Sequence, residues 1–291
     1  MLGDLFAIIA PVFICAGIGF IWARQERPFD VDLVTALMTN IGTPCLVFFT
    51  LTSAKLDLNA FGSMAVYAVL AIACSAVIGG AILKMSKLDI RSFLPPMMFS
   101  NCGNMGLPLC LLAFGEAGLV LAIVFFTVSA IGQFTLGMMI PSGTLSFKAL
   151  VRIPILYAVF IAVVFIVLKI DPPAVIANTT EILGGMTIPM MLITLGVSLA
   201  RLRFNALARA TGLSLLRLIL GFGVGVGLSV VLGLEGVERG ILILQSSMPV
   251  AVFNYLFAQR YNRSPEEVAG LVFISTVLSF ASLPVLLWFV L

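Results

Sequence analysis

The sequence predicts an all-α membrane protein of ten transmembrane helices, built as two inverted five-helix repeats in which the fourth and ninth helices are broken and cross. Three observations carry this prediction: an apolar composition, ten hydrophobic stretches of spanning length, and paired proline-centred motifs at one sequence offset. Of 291 residues, 61% are hydrophobic and 10% charged, with a mean hydropathy of +1.20. An ordinary soluble domain carries about 25% charged residues, so this chain cannot dress a water-facing surface. Its solvent is mostly lipid.

Twenty helical residues cover about 30 Å, the thickness of the hydrocarbon core of a bilayer. Stretches of that order fall at 4–23, 32–53, 61–83, 92–114, 117–140, 150–170, 174–200, 206–233, 237–258 and 267–290. The first begins Met1-Leu2-Gly3-Asp4 with no basic segment before it and runs a full span, so it is read as a retained helix and not a signal peptide. Lysines and arginines concentrate on the cytoplasmic side of a membrane protein. Alternate loops hold Arg24 and Arg27; Lys84, Lys87 and Arg91; Lys148 and Arg152; Arg201, Arg203 and Arg209; and Arg260 and Arg263, twelve in all. The opposite loops hold Lys55, Lys169 and Arg239. That asymmetry places both termini on the non-cytoplasmic side.

An odd set of five spans, repeated once, enters the membrane from the opposite side the second time. Span two carries Asn40-Ile41-Gly42-Thr43-Pro44-Cys45 and span seven carries Gly185-Met186-Thr187-Ile188-Pro189-Met190, with prolines 145 positions apart. The same offset carries Asn104 of span four onto Pro249 of span nine. The repeats are therefore residues 1–140 and 150–291, joined by a short cytoplasmic linker at 141–149.

Span four contains Ser100-Asn101-Cys102-Gly103-Asn104-Met105-Gly106-Leu107-Pro108, and span nine contains Gln245-Ser246-Ser247-Met248-Pro249-Val250-Ala251-Val252-Phe253-Asn254. Proline removes a helix hydrogen bond and glycine relaxes the backbone, so residues 101–108 are not expected to form a straight helix. Unwound backbone survives in a membrane only against protein or a water-filled cavity. If the two breaks cross, the half-helices that start there direct free N–H groups and a partial positive charge toward the crossing, and a small organic anion such as a carboxylate fits that field. Asn101, Asn104, Gly106, Pro108, Ser246, Ser247, Pro249, Val250 and Asn254 are the expected substrate-binding residues. Asn40, Thr43, Pro44 and Pro189 are expected to support them. Phe48, Phe253 and Tyr255 are as easily packing residues as pocket lining.

The formal charge of +3 and the scattered basic residues argue against nucleic acid as a partner. Histidine is absent, and Cys15, Cys45, Cys74, Cys102 and Cys110 lack metal-site or disulfide spacing, so neither a metal nor a cofactor is expected. An intramembrane enzyme would need clustered acidic residues or a His-Glu motif, and neither occurs.

The motifs in spans two, four, seven and nine resemble those of the auxin efflux carrier family, over nearly the whole chain. The span-four signature, Ser100 to Pro108, is the most specific; Asn40 to Phe48, Pro189, and Ser247-Met248-Pro249-Val250-Ala251 leading to Asn254 add to it. The resemblance implies a fold similar to sodium/proton antiporters and bile-acid symporters, a substrate site beside the prolines of the fourth and ninth helices, elevator-type alternating access and a homodimer. It also implies a bacterial-type permease of the inner membrane. Plant members have a long central loop that is missing here.

The acidic residues lie in loops or near span ends, so no mid-span proton carrier is visible. A sodium ion held by backbone carbonyls, Asn and Thr is compatible with the broken spans, which makes a sodium-coupled organic anion symporter of the bile-acid type the alternative to anion uniport. Arg217, a third of the way into span eight, is expected to snorkel to the cytoplasmic face.

Overall fold

The structure is a computed structural model and describes residues 2–53, 58–144, 153–201 and 207–291. Lys55, Lys148, Arg152 and Arg203 of the loop-charge count, and most of the 141–149 linker, lie outside the described residues. Among those residues every extended element is a helix, and the one β-type contact is an isolated bridge between Ser100 and Val250.

The first helix, α1 (Leu2–Arg24), ends where Arg27 stacks 4.9 Å over the Trp22 ring and the Trp22 indole N–H donates to the Pro28 carbonyl. Helix α2 (Val31–Leu37) starts on Asp30, whose carboxylate accepts from the Leu33 N–H at 2.9 Å, an N-cap. It runs through a π-helical turn, Met38–Gly42, into α3 (Thr43–Ser53). The π turn answers a sequence constraint: Pro44 has no N–H to give the preceding turn, and a wider turn absorbs the missing bond. Helix α4 (Leu58–Met85) follows, then α5 (Ile90–Met98), capped by Asp89. A second π-helical turn, Cys102–Gly106, opens α6 (Leu107–Ser142), which bends at Gly115, a residue at φ 64 that a side chain would disfavour. The remaining helices are α7 (Pro154–Leu168), α8 (Ala174–Gly185), α9 (Thr187–Arg201), α10 (Leu207–Val231), α11 (Gly236–Ser246), α12 (Val252–Arg260) and α13 (Pro265–Val290).

Among the described residues, six helical runs are long and apolar enough to cross a membrane: Val31–Ser53, Ala60–Met85, Cys102–Ser142, Ala174–Arg201, Arg209–Val231 and Pro265–Val290. Shorter apolar helices cover Ile8–Arg24 and Pro154–Leu168. Many of their large side chains face outward, among them Phe160, Val175, Ile182, Ile219, Val231 and Trp288. Surfaces of that kind are covered by lipid in an integral membrane protein.

The chain forms two compact units, each drawing on both halves of the sequence: Met1–Gly62 with Gly103–Thr127 and Arg152–Arg201, and Ser63–Cys102 with Val128–Val151 and Leu202–Leu291. In the first, α1 and α9 lie backbone to backbone. A Cβ on Gly19 would collide with the Ile193 carbonyl, and one on Gly196 with the Ala16 carbonyl. Small residues allow such approach, and dispersion then replaces the hydrophobic drive that lipid does not supply. Phe48 meets Phe165 edge-on in the same unit.

In the second unit, α10 packs on α11 and α13 through a face of small residues. A Cβ on Gly221 would collide with the Ser246 carbonyl, and one on Gly225 would lie 2.9 Å from the Ile243 Cα. At one end of this unit, Arg209 pairs with Glu267 at 3.2 Å, Arg263 donates to the Pro141 carbonyl at 3.0 Å, and Ser92 bonds Ser264. Burial alone would raise the carboxyl of Asp89, but the Ser92 hydroxyl, the Arg91 and Ser92 N–H groups and the Arg263 cation together hold it below its ordinary value.

Candidate functional site

Helices α5 and α11 each end in a stretch of chain that leaves the helical conformation, and the two stretches pair. The Asn101 N–H donates to the Pro249 carbonyl at 2.7 Å and the Ala251 N–H to the Phe99 carbonyl at 3.2 Å, on either side of the antiparallel Ser100–Val250 bridge. Buried peptide groups must find partners, and here two broken segments supply them to each other. The Ser100 hydroxyl adds a bond to the Gln245 carbonyl at 3.0 Å. The Val250 N–H donates to the Ser275 hydroxyl on α13 at 3.1 Å.

The unwound part of the first segment is Phe99–Asn101, slightly upstream of the 101–108 run expected from the sequence. Cys102–Gly106 is a π-helical turn and Leu107 already begins α6. Pro108 lies inside the continuous helical run Cys102–Ser142, just after the π turn, whose wider winding accommodates its missing N–H. Gly103 is needed for space: a Cβ there would lie 2.8 Å from the Phe126 ring. The second segment is unwound from Ser247 to Ala251 around Pro249, as expected.

The expected site residues divide into engaged and unengaged groups. Asn254 is engaged: its amide nitrogen donates to the Phe99 carbonyl at 3.1 Å, and its carbonyl oxygen accepts from Gln133 at 3.4 Å. Ser247 is also engaged, its hydroxyl donating to the Ile243 carbonyl at 2.7 Å; it lines an apolar groove of about 560 Å³ between α10 and α13. Buried Asn101 and Ser246 are unengaged, since neither the Asn101 amide nitrogen nor the Ser246 hydroxyl has a hydrogen-bond partner among the described residues. Asn104 is half-buried on the π turn. Asn104, Gly106 and Pro108 fall in the first compact unit, whereas Asn101, Ser246, Ser247, Pro249, Val250 and Asn254 fall in the second.

The supporting residues are in the first unit. Asn40 is exposed and spends its amide on the Ala36 carbonyl at 2.8 Å. Thr43 is buried at the start of α3, and Pro44 follows it. Pro189 lies in the first turn of α9, behind a one-residue interruption at Met186. The buried Thr187 hydroxyl has no partner among the described residues, and a Cβ on Gly42 would come within 2.7 Å of it, so the two proline motifs of this unit approach each other.

Arg217 does not snorkel. It is 1% exposed, and its guanidinium donates to the carbonyls of Met97 at 3.0 Å, Ser246 at 3.0 Å and Met248 at 3.3 Å. Solvating the charge through backbone at the break replaces the water it would otherwise reach for. The sequence does carry a signal for this. Arg217, Gly221 and Gly225 recur every four residues, so the arginine shares its helix face with glycines that admit a neighbouring backbone, not with lipid-facing side chains.

The electrostatics of the break are thus one-sided. Carbonyls at the ends of α5 and α11 are occupied by Arg217 and Ser100, the Asn254 N–H in the first turn of α12 bonds the Ala251 carbonyl, and the Asn101 side chain keeps donor capacity.

The sequence model of the membrane transport protein family matches residues 138–287, just over half of the chain. An uncharacterized transporter of Methanothermobacter thermautotrophicus is 28% identical over 275 residues, 89% of this chain and 88% of that one. A second uncharacterized transporter, from Methanocaldococcus jannaschii, is 24% identical over 274 residues and 88% of each chain. Auxin efflux carrier component 1 of Arabidopsis thaliana is 27% identical over 114 residues, 38% of this chain and 18% of that protein. The chain is a membrane transporter and belongs to the membrane transport protein family, which includes the auxin efflux carriers.

Proposed function

We propose that the protein carries small organic anions, carboxylates in the first instance, across a prokaryotic plasma membrane, with the anion held at the paired breaks of the fourth and ninth spans. The observation that carries this reading is the asymmetry of the break: carbonyl ends are engaged, while the buried Asn101 amide nitrogen has no hydrogen-bond partner among the described residues. Helix N-termini attract anions through unsatisfied N–H groups and the helix dipole. Neutral donors hold a carboxylate without a lysine or arginine having to bond it directly.

The architecture proposed with it is ten crossings in two inverted repeats, 1–140 and 150–291, with the fourth and ninth helices crossing at their breaks. Two features support that layout. Each of the ten apolar stretches of the sequence contains helix, and the pairing of Phe99–Asn101 with Pro249–Ala251 joins the interrupted parts of the fourth and ninth spans. The loop contacts Arg263–Pro141, Ser92–Ser264 and Arg209–Glu267 join loops that the charge count assigns to one side. That side is the cytoplasm in this reading, with both termini opposite. Alternating access is of the elevator type, in a homodimer, and with the cell interior negative the potential favours export by about 2.3 kcal/mol per charge per 100 mV.

A thermal-shift screen of mono- and dicarboxylates on the purified protein tests the reading, because a ligand that binds only the folded state raises its apparent stability. A carboxylate should raise the melting temperature in wild type and fail to do so in Asn101→Leu. A panel in which no organic anion shifts the wild type, or in which the variant responds equally, would remove the proposal.

A further inference from the structure

We propose that Arg217 is the fixed positive charge of the transport site, a positioning residue that acts as a tethered cation on the broken backbone and keeps the break selective for anions. The inference rests on the site proposed above but assigns a role to a residue outside it.

The last carbonyls of a helix have no intrahelical partner and carry the negative end of its dipole, about half a charge. Two such ends, those of α5 and α11, come together at the break. Left alone they would set two partial negative charges beside the amide ends that attract the substrate, and the two fields would largely cancel. The guanidinium takes the Met97 carbonyl from the end of α5, the Ser246 carbonyl from the end of α11 and the Met248 carbonyl from the unwound segment. One whole positive charge therefore offsets two half charges of opposite sign, and the amide ends act without opposition.

The geometry of the surroundings fits a built position. Gly221, one turn beyond Arg217, leaves room for the Ser246 carbonyl to lie against α10, and a Cβ there would also come 3.2 Å from a guanidinium nitrogen. Among the described residues the Arg217 Nε–H has no hydrogen-bond partner, and the three bonds of the side chain go to carbonyls and none to a carboxylate. A buried cation without an anionic neighbour is costly unless its charge is used. Here the two carbonyl ends offset the charge, and the break keeps no negative field to repel an incoming anion. Three convergent carbonyl oxygens are also the donor set a sodium ion would take, so Arg217 stands where a mobile cation would otherwise be needed.

The test has two readouts on purified protein. The first needs no substrate. Melting of the wild type should be equal in sodium chloride and choline chloride at one ionic strength, whereas Arg217→Ala should melt lower and be restored in part by millimolar guanidinium and not by choline. The second uses benzoate and malonate as probes. Whichever probe binds the wild type should bind Arg217→Lys within a few-fold and Arg217→Met about tenfold or more weakly, the loss expected for a charge felt through protein. Wild-type melting that rises in sodium over choline would overturn the proposal, because a mobile cation would then hold what is assigned to Arg217. So would unchanged probe affinity in Arg217→Met, or absence of guanidinium rescue in a folded Arg217→Ala. If Arg217→Ala does not purify, the sodium comparison on wild type and the Lys and Met variants decide. If neither probe affects the wild type, the anion site itself is in question, and guanidinium rescue alone decides the role of Arg217.

Discussion

The Asn101 N–H donates to the Pro249 carbonyl at 2.7 Å, so two buried residues, one from the break after α5 and a proline from the break after α11, pair through their backbones. This bond and its neighbour, Ala251 to Phe99, explain how two unwound segments persist inside an apolar protein. They also leave the Asn101 side-chain amide nitrogen as an unspent donor among the described residues.

Asn254 closes the same junction by bonding the Phe99 carbonyl and Gln133. Asn254→Ala removes the acceptor of the buried Gln133 amide and leaves the Phe99 carbonyl with the Ala251 N–H alone, and the expected loss is about 1–3 kcal/mol of stability. Thermal melting should therefore drop in this variant whether or not substrate is present. A variant that melts like wild type would show that the junction does not depend on it.

Asn104 lies half-buried on the π turn. Asn104→Ala is expected to cut transport strongly while melting near the wild-type temperature, and Cys15→Ala, a half-buried packing position on α1, to change neither. Comparing flux per folded protein for the two variants checks both expectations.

The α1–α9 contact makes a prediction about folding alone. Gly19→Leu or Gly196→Leu forces a side chain into the opposing carbonyl, and overpacking of this kind costs about 1–3 kcal/mol or more. Both variants should show reduced yield and melting temperature, and the double variant should be no better than the worse single one. Size-exclusion profiles and melts in detergent would report it.

Asp89 caps α5 and its carboxyl titrates below the ordinary carboxylate range. A depressed folded-state pKa contributes stability above the unfolded pKa, and that contribution is lost as the pH falls through the folded value. Asp89→Asn should flatten the acid limb of the melting curve, and Asp89→Ala should cost about 1 kcal/mol at neutral pH as a lost N-cap. Melting of the three proteins between pH 3 and pH 7 measures both effects.

Much of this was legible in the sequence, for reasons that can be traced to residues. Hydropathy and the proline–glycine runs located the helices and the interruption at Pro249, because lipid leaves a chain little choice except helix and proline marks where helix fails. The upstream position of the first break was not legible. Gly103, Gly106 and Pro108 read as an unwound run, yet a π turn accommodates the proline and Gly103 serves to admit the Phe126 ring. Arg217 was misread because a single arginine in a span is usually solvated by snorkelling, and only its alignment with Gly221 and Gly225 reveals the neighbouring backbone. The engagement of Asn254 and Ser247 in structural bonds depends on which carbonyls fold next to them, which spacing does not encode.

The account turns on negative solute being received at the paired breaks. Solid-supported membrane electrometry on proteoliposomes, with a concentration jump of benzoate or malonate, measures this directly for wild type and Asn101→Leu. The account predicts a current carrying negative charge in wild type that is lost in the variant. Equal currents in the two proteins, or none in wild type with any organic anion, would contradict it.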